Sequence, residues 1–204
     1  MSPRPTDTRV FLAVLPDPAL RSALSALRAR LLPRQGPGWR TVRAEDLHLT
    51  LRFFGNLPPA GADPAIDWRA WLVSACDRLA AAQAPVATRC QGITLWQARG
   101  PRPLVIGIVP TEGLRRLALA AEALAIDLGF PAETRAWRPH ITLARATATA
   151  APLRSVTIDW SALPPLSIET LSLLRSRPQP AARRYETIWR RRLRMVPVSR
   201  HPKP

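Results

Sequence analysis

The chain has 204 residues, 47% of them hydrophobic, a size and composition typical of one compact domain with a sizeable core. No apolar run is long enough to span a membrane and the first eight residues lack the apolar centre of a signal peptide, so we expect a soluble, cytoplasmic monomer. The formal net charge of +16, carried by arginine except for Lys203, favours a polyanionic partner.

The N-terminal half alternates between strand and helix patterns. Residues 9–15 (RVFLAVL) predict a strand, and Pro16-Asp17-Pro18 supplies a break and a helix N-cap. The following helix has an apolar face made of Leu20, Leu24, Leu27 and Leu31. A second helix is predicted from the spacing of Trp68, Trp71, Leu72, Ala75, Cys76 and Leu79.

Between these helices, residues 47–54 (LHLTLRFF) alternate strictly and predict a strand. One face of this strand is apolar. The other face is predicted to carry His48, Thr50, Arg52 and Phe54.

The C-terminal half repeats the order of helix and strand. Strands are predicted over residues 86–96 and 104–109, and a helix over residues 112–128, closed by Gly129. The remaining predicted strands cover residues 139–145 (PHITLAR), 166–174 and 185–193. Two successive units of a helix and a strand with His-x-Thr indicate a pseudo-symmetric bilobal domain over residues 9–195, with flexible ends at residues 1–8 and 196–204.

Two of the three histidines lie in the same tetrapeptide pattern, His-apolar-Thr-Leu, at His48 and His140. Residues two apart on a strand share a face, so each motif presents an imidazole and the hydroxyl of Thr50 or Thr142 together. A single motif of this kind is an ordinary strand sequence, whereas the matched pair favours catalysis. Near neutral pH one imidazole can accept a proton while the other donates one. His201 has no such companion and is expected to play no catalytic role.

Displacement at phosphorus needs a base and an acid on opposite sides of the phosphate, which two symmetric motifs can supply. Arg52 is predicted on the face of His48 and is a candidate for stabilising charge on the phosphate oxygens. Simple alternation puts Arg145 on the face opposite His140, so its use requires a bulge in the strand. Trp39, Trp96 and Trp137 are the tryptophans nearest the motifs and are candidates for stacking on bases.

Motifs for other chemistries are missing from the sequence. No HExxH or close cluster of His and carboxylates predicts a metal site, and no GxxxxGK[ST] or GxGxxG predicts nucleotide-cofactor binding. Cys76 and Cys90 have no metal-ligand spacing and are predicted to be reduced and buried. We therefore expect neither a metal nor a cofactor.

At these residues the sequence resembles the 2H phosphoesterase superfamily, and within it the bacterial RNA 2′,3′-cyclic phosphodiesterases, also called 2′-5′ RNA ligase-like proteins. The segments that carry the resemblance are RVFLAVLP, RAEDLHLTLRFFGNL, WRPHITLAR and LSLLRSRPQPAARRYETI. The resemblance implies an α+β fold with two antiparallel sheets flanking a central cleft and helices outside. It also implies that His48 is the proton donor, His140 the proton acceptor, and Thr50, Thr142 and Arg145 phosphate ligands.

The reaction implied is metal-independent hydrolysis of RNA 2′,3′-cyclic phosphate ends, tRNA fragments among them, to 2′-phosphomonoesters. Three alternatives stay open: reversible 2′-5′ RNA ligation at the same site, hydrolysis of small cyclic nucleotides, and RNA binding without catalysis. The last explains the charge but not the paired motifs.

Overall fold

The computed structural model describes residues 9–57, 67–98, 100–150, 153–154, 156–177 and 184–194. Three α-helices separate groups of one to four strands along this part of the chain. In order they are β1 (Arg9–Val14), α1 (Pro18–Leu31), β2 (Trp39–Thr41), β3 (Leu49–Asn56), α2 (Trp68–Ala82), β4 (Val86–Thr88), β5 (Cys90–Leu95), β6 (Arg102–Ile108), α3 (Glu112–Asp127), β7 (His140–Ala146), β8 (Leu166–Ile168), β9 (Thr170–Ser176) and β10 (Tyr185–Arg192).

The helices begin where the sequence supplies caps. The Asp17 carboxylate accepts a hydrogen bond from the Leu20 N–H at 2.8 Å, and the four predicted leucines of α1 are buried. The Thr111 side chain caps α3 in the same way, and Gly129, with φ of 80°, follows its end. The predicted apolar face of α2 is buried except at its two tryptophans, of which Trp71 is 36% exposed.

The main sheet is antiparallel, with strand order β10-β9-β1-β3-β7-β6-β5 and β2 paired with β7. Its two halves meet at β3 and β7, which share a single residue pair, Leu49 with Ile141. The resemblance implies two sheets. In the structure they are the two halves of one sheet, and the Leu49–Ile141 pair is the narrow seam that joins them. Strands β4 and β8 form a separate two-stranded sheet. The predicted α+β fold with antiparallel sheets is confirmed.

A shared core lies between the helices and one face of the main sheet. It contains buried apolar residues from all three helices together with Leu49, Leu51, Ile141 and Leu143 from the two strands at the seam. Helix α3 packs against β3 and α1 packs against β7. Helix α1, which follows β1 in one half, therefore supports β7 in the other half, and α3, which follows β6 in that half, supports β3.

Two predicted strands are each divided in the structure. Residues 86–96 break at Arg89 and residues 166–174 break at Glu169, so that the leading parts pair with each other as β4 and β8 while the trailing parts join the main sheet. Strand β2 was not predicted. Cys76 and Cys90 are free and buried, as predicted, and burial raises the pKa of their thiols to about 12 and about 11.

The predicted end segments, residues 1–8 and 196–204, and His201 lie outside the described residues. Within the described part of the chain, no helix has the length and apolar character needed to cross a membrane.

The position of Leu49 at the seam predicts an effect on the free energy of unfolding. Leu49→Ala should lower the free energy of unfolding by about 2–5 kcal/mol, because Leu49 is fully buried and its truncation leaves a cavity where the two half-sheets join. Leu119→Ala is the matched control, since Leu119 is 68% exposed on α3, and should change stability by no more than about 0.5 kcal/mol. Urea unfolding of both variants measures the difference. Equal stabilities would contradict the importance given to the seam.

Candidate active site

The seam brings the two predicted motifs together. Leu49 pairs with Ile141 in antiparallel register. Continuing this register by one residue in each direction sets His48 opposite Thr142 and Thr50 opposite His140. Leu49 and Ile141 point into the core, so the four motif residues lie on the face away from the helices.

Each histidine strand contains a β-bulge at the leucine of its motif. Pairing of β1 with β3 passes from Ala13–Thr50 to Leu12–Arg52 and omits Leu51. Pairing of β6 with β7 passes from Val105–Thr142 to Leu104–Ala144 and omits Leu143. The two bulges occupy equivalent positions, so the pseudo-symmetry of the sequence extends to this irregularity of the backbone.

The bulges determine which residue after each motif lies again on the same face as the motif residues. This face of the sheet, away from the helices, is the cleft face. On β7 the residue is Arg145, which is half-buried between buried Ala144 and Ala146. Its charge lowers the pKa of both His48 and His140, which places it close to both imidazoles. Arg145 could share the face of His140 only if the strand contained a bulge, and the structure contains that bulge at Leu143.

On β3 the equivalent residue is Phe53. It pairs with Phe11 in register, their ring centroids are 5.3 Å apart, and it is 50% exposed. The prediction that Arg52 and Phe54 share the face of His48 is therefore wrong. The bulge at Leu51 turns both of them towards the core.

Arg52 is engaged on that core side. It is 8% exposed, its Nε lies 2.6 Å from Oε2 of Glu122 on α3, and its guanidinium donates hydrogen bonds to the backbone carbonyls of Phe53 and Pro131. These contacts tie β3 to α3 and to the loop after it. The structure thus gives Arg52 a position in the fold, on the opposite face from the phosphate contact that the sequence suggested.

Both imidazoles are oriented by the same backbone hydrogen bond. His48 Nδ1 lies 2.7 Å from the carbonyl oxygen of Asp46, and His140 Nδ1 lies 2.7 Å from that of Arg138. A carbonyl oxygen only accepts, so Nδ1 carries the proton in each neutral imidazole. Nε2 is then the atom that gains or loses a proton at both histidines.

Aromatic rings hold the two imidazoles in place. His48 lies between Phe11 and Tyr185, with ring centroids 5.0 and 4.9 Å from its own. His140 packs against Trp96 at a centroid distance of 4.3 Å. Neither Phe11 nor Tyr185 was singled out from the sequence, because both come from strands remote from His48 along the chain.

The other two candidate tryptophans have structural contacts. Trp137 donates a hydrogen bond from its indole N–H to the backbone oxygen of Thr50 at 3.1 Å, which links the approach to β7 with β3. Trp39 packs against the apolar cluster of Leu31, Leu32, Leu104 and Ala144. Of the three, Trp96 is the one that contacts a motif histidine.

Asp46 is a buried carboxylate that the sequence did not identify. Its backbone oxygen accepts from His48, and its side chain accepts from the backbone N–H groups of Arg184 and Tyr185, both at 3.4 Å. Asp46 thereby fixes the start of β10 against the first motif. Nothing in the local sequence marks this role, because its partners lie at the far end of the chain.

Burial, with smaller contributions from the positive charges of His140 and Arg145, lowers the pKa of His48 to about 4. The hydrogen bond to the Asp46 carbonyl and the Asp46 carboxylate act in the opposite direction. Burial and Arg145 also lower the pKa of His140, against the effect of its bond to Arg138. Both imidazoles are therefore neutral at pH 7 in the free protein, and an anion between them would raise both pKa values.

The arrangement can hold an anion between two proton-transfer groups. No described residue hydrogen-bonds the hydroxyl of Thr50 or Thr142, so both can donate to a ligand. Arg145 has no acidic partner among the described residues. Nor do the described residues contain a group of three His, Cys, Asp or Glu side chains that could hold a metal ion.

Comparison with known proteins gives consistent matches. Residues 14–107 match the family described as LigT-like phosphoesterase. The RNA 2′,3′-cyclic phosphodiesterase of Thermus thermophilus is 29% identical over 84% of this chain and 83% of its own. A crystal structure from the same organism superposes with a TM-score of 0.73 at 28% identity, covering 92% of this chain and 98% of the other. The Escherichia coli LigT complex with 3′-AMP gives a TM-score of 0.69 at 25% identity, with the same coverage of both chains.

The contacts of Arg52 predict an effect on stability. Arg52→Met should lower the free energy of unfolding by about 1–3 kcal/mol, because Glu122 loses its cation and two carbonyls lose a donor. Arg145→Met is the matched variant and should not destabilise the protein, because it removes a positive charge that has no acidic partner in the described structure. Chemical denaturation of both variants tests this, and a larger loss for Arg145→Met would contradict the assignment of the two faces.

Proposed function

We propose that the chain is a LigT-like phosphoesterase, one of the 2H phosphoesterases, and that it hydrolyses RNA 2′,3′-cyclic phosphate ends to 2′-phosphomonoesters without a metal ion. The name of the Thermus relative supports this substrate, and the 3′-AMP complex of the Escherichia coli protein supports a nucleotide in the cleft. The observation that carries the proposal is the seam between β3 and β7, which joins the two histidine motifs in one antiparallel register.

The reaction uses the two Nε2 atoms. His140 removes a proton from a water molecule as its oxygen attacks phosphorus, and His48 protonates the departing 3′ oxygen. One P–O bond forms, the bond to the 3′ oxygen breaks, and the phosphate stays on the 2′ oxygen. The bonds from each Nδ1 to the Asp46 and Arg138 carbonyls keep both Nε2 atoms directed at the substrate throughout.

Threonine and arginine bind the phosphate between the histidines. The hydroxyls of Thr50 and Thr142 donate to its non-bridging oxygens without adding charge. Arg145 supplies the positive charge that stabilises these oxygens as negative charge develops in the transition state. The register sets each threonine opposite the histidine of the other motif. Each side of the phosphate is therefore contacted by one motif residue from each half-sheet.

The bound phosphate also favours the protonation state of the two imidazoles that catalysis needs. Acid–base catalysis needs one charged and one neutral imidazole, whereas both are neutral at pH 7 in the free enzyme. The negative charge of the bound phosphodiester raises both pKa values and offsets the effect of Arg145. The proton that His48 donates is therefore stabilised by the substrate itself.

The mechanism predicts that both histidines are required. His48→Ala and His140→Ala should each lower kcat at least about 10²-fold, and up to about 10⁴-fold, on a short RNA that ends in 2′,3′-cyclic phosphate, with a chelator present. His201→Ala is the control, since it removes the third histidine, and should keep wild-type activity. Mapping the phosphate position in the product checks that it stays on the 2′ oxygen. Activity that survives either motif substitution, or that the chelator abolishes, would contradict the mechanism.

The lowered pKa values predict an acid-shifted pH profile. The value of kcat/KM reports the free enzyme, in which the pKa of the donor His48 is lowered to about 4 and that of His140 lies below its usual 6.5. We expect kcat/KM to peak below pH 6.5 and to fall about tenfold per pH unit on the alkaline side. The alkaline limb of kcat should lie at higher pH, because bound phosphate raises the pKa values. Coincident limbs for kcat and kcat/KM would contradict the role given to the phosphate.

A further inference from the structure

Strand β2 occupies the space where the two half-sheets separate. Beyond the Leu49–Ile141 pair, β3 and β7 no longer pair, and β2 takes the free edge of β7. The backbone N–H of Val42, just after β2, donates to the Leu143 carbonyl at 2.9 Å and continues this contact towards the bulge. The short strand therefore runs beside the cleft-forming part of β7.

The register of β2 sets two arginines side by side. Arg40 pairs directly with Arg145. Residues directly opposite each other on neighbouring strands point to the same face, so Arg40 lies on the cleft face with Arg145. Trp39 supports this orientation, because it packs into the apolar cluster on the helix side and Arg40, the next residue, points the other way.

Like charges directly opposite each other on a sheet repel. No acidic side chain among the described residues forms an ion pair with Arg40 or Arg145. Arg40 is exposed, so its guanidinium is open to a ligand. An unneutralised arginine pair on the face of a phosphate site is suited to an anion larger than one phosphate.

We propose that Arg40 binds a second phosphate, the phosphodiester that precedes the terminal cyclic phosphate, and that it makes the enzyme favour an RNA chain over a cyclic mononucleotide. The inference rests on the proposed function and adds a substrate contact to it. Arg145 binds the reacting phosphate, whereas Arg40, on the neighbouring strand β2, binds the phosphodiester that precedes it in the RNA. A cyclic mononucleotide has no phosphate for Arg40 to bind.

The experiment compares two substrates and two variants. Wild type, Arg40→Gln and the control Arg115→Gln are assayed on a trinucleotide with a 2′,3′-cyclic phosphate end and on a 2′,3′-cyclic mononucleotide. Arg115 is an exposed arginine on α3, on the helix side of the sheet. Arg40→Gln should lower kcat/KM about tenfold on the trinucleotide, by loss of one charge-assisted contact, and less than about twofold on the mononucleotide. Arg115→Gln should change neither by more than about twofold.

A binding measurement separates this inference from the proposed function. The affinity of the trinucleotide carrying a terminal 2′-phosphate is measured against salt concentration, and Arg40→Gln should reduce the slope of log Kd on log salt by about 0.7. An unchanged slope, or an equal loss of kcat/KM on both substrates, would overturn the second phosphate contact. If the wild type cleaves neither substrate while the slope still differs, the proposed hydrolysis fails and the phosphate contact stands.

Discussion

The site depends on one residue pair, Leu49 with Ile141, at which two half-sheets meet. Both side chains are buried against the helices, so the residues on either side of them must face away from the core. Antiparallel register then sets each motif histidine opposite the threonine of the other motif. A slip of one residue would bury the imidazoles and expose the leucines, so hydrophobic burial itself holds the proposed acid and base in place.

The bulges extend this logic to the charged residues. Because β3 and β7 are interrupted at equivalent leucines, the third residue after each threonine returns to the cleft face, and the pseudo-symmetric positions carry Phe53 in one half and Arg145 in the other. At this pair of positions one half of the cleft is therefore aromatic and the other cationic. This difference suits a nucleotide, which offers both an apolar base and an anionic phosphate.

The sequence predicted those parts of the structure that depend on local pattern. Period-two alternation and helical spacing located α1, α3 and the two motif strands, and the repeated His-x-Thr located the proposed catalytic residues. Alternation failed at Arg52, because a bulge leaves no local signal and was inferred only as a requirement for Arg145. The contacts of Asp46 and Tyr185 were beyond prediction, since they join residues far apart along the chain. The breaks at Arg89 and Glu169 depend on strand partners in the same way.

The two motif histidines differ in their surroundings although they lie in the same sequence pattern. Both imidazoles make the same backbone bond, yet His48 is enclosed by Phe11 and Tyr185, and its pKa falls to about 4. A donor with a low pKa transfers its proton readily to a leaving oxygen, but it is seldom protonated before substrate binds. In the proposed mechanism the negative phosphate of the substrate resolves this conflict, because it stabilises the imidazolium only in the complex where the proton is needed. Under this proposal the apolar enclosure of His48 couples its protonation to the presence of substrate, and a solvated histidine at the same position would lose that coupling.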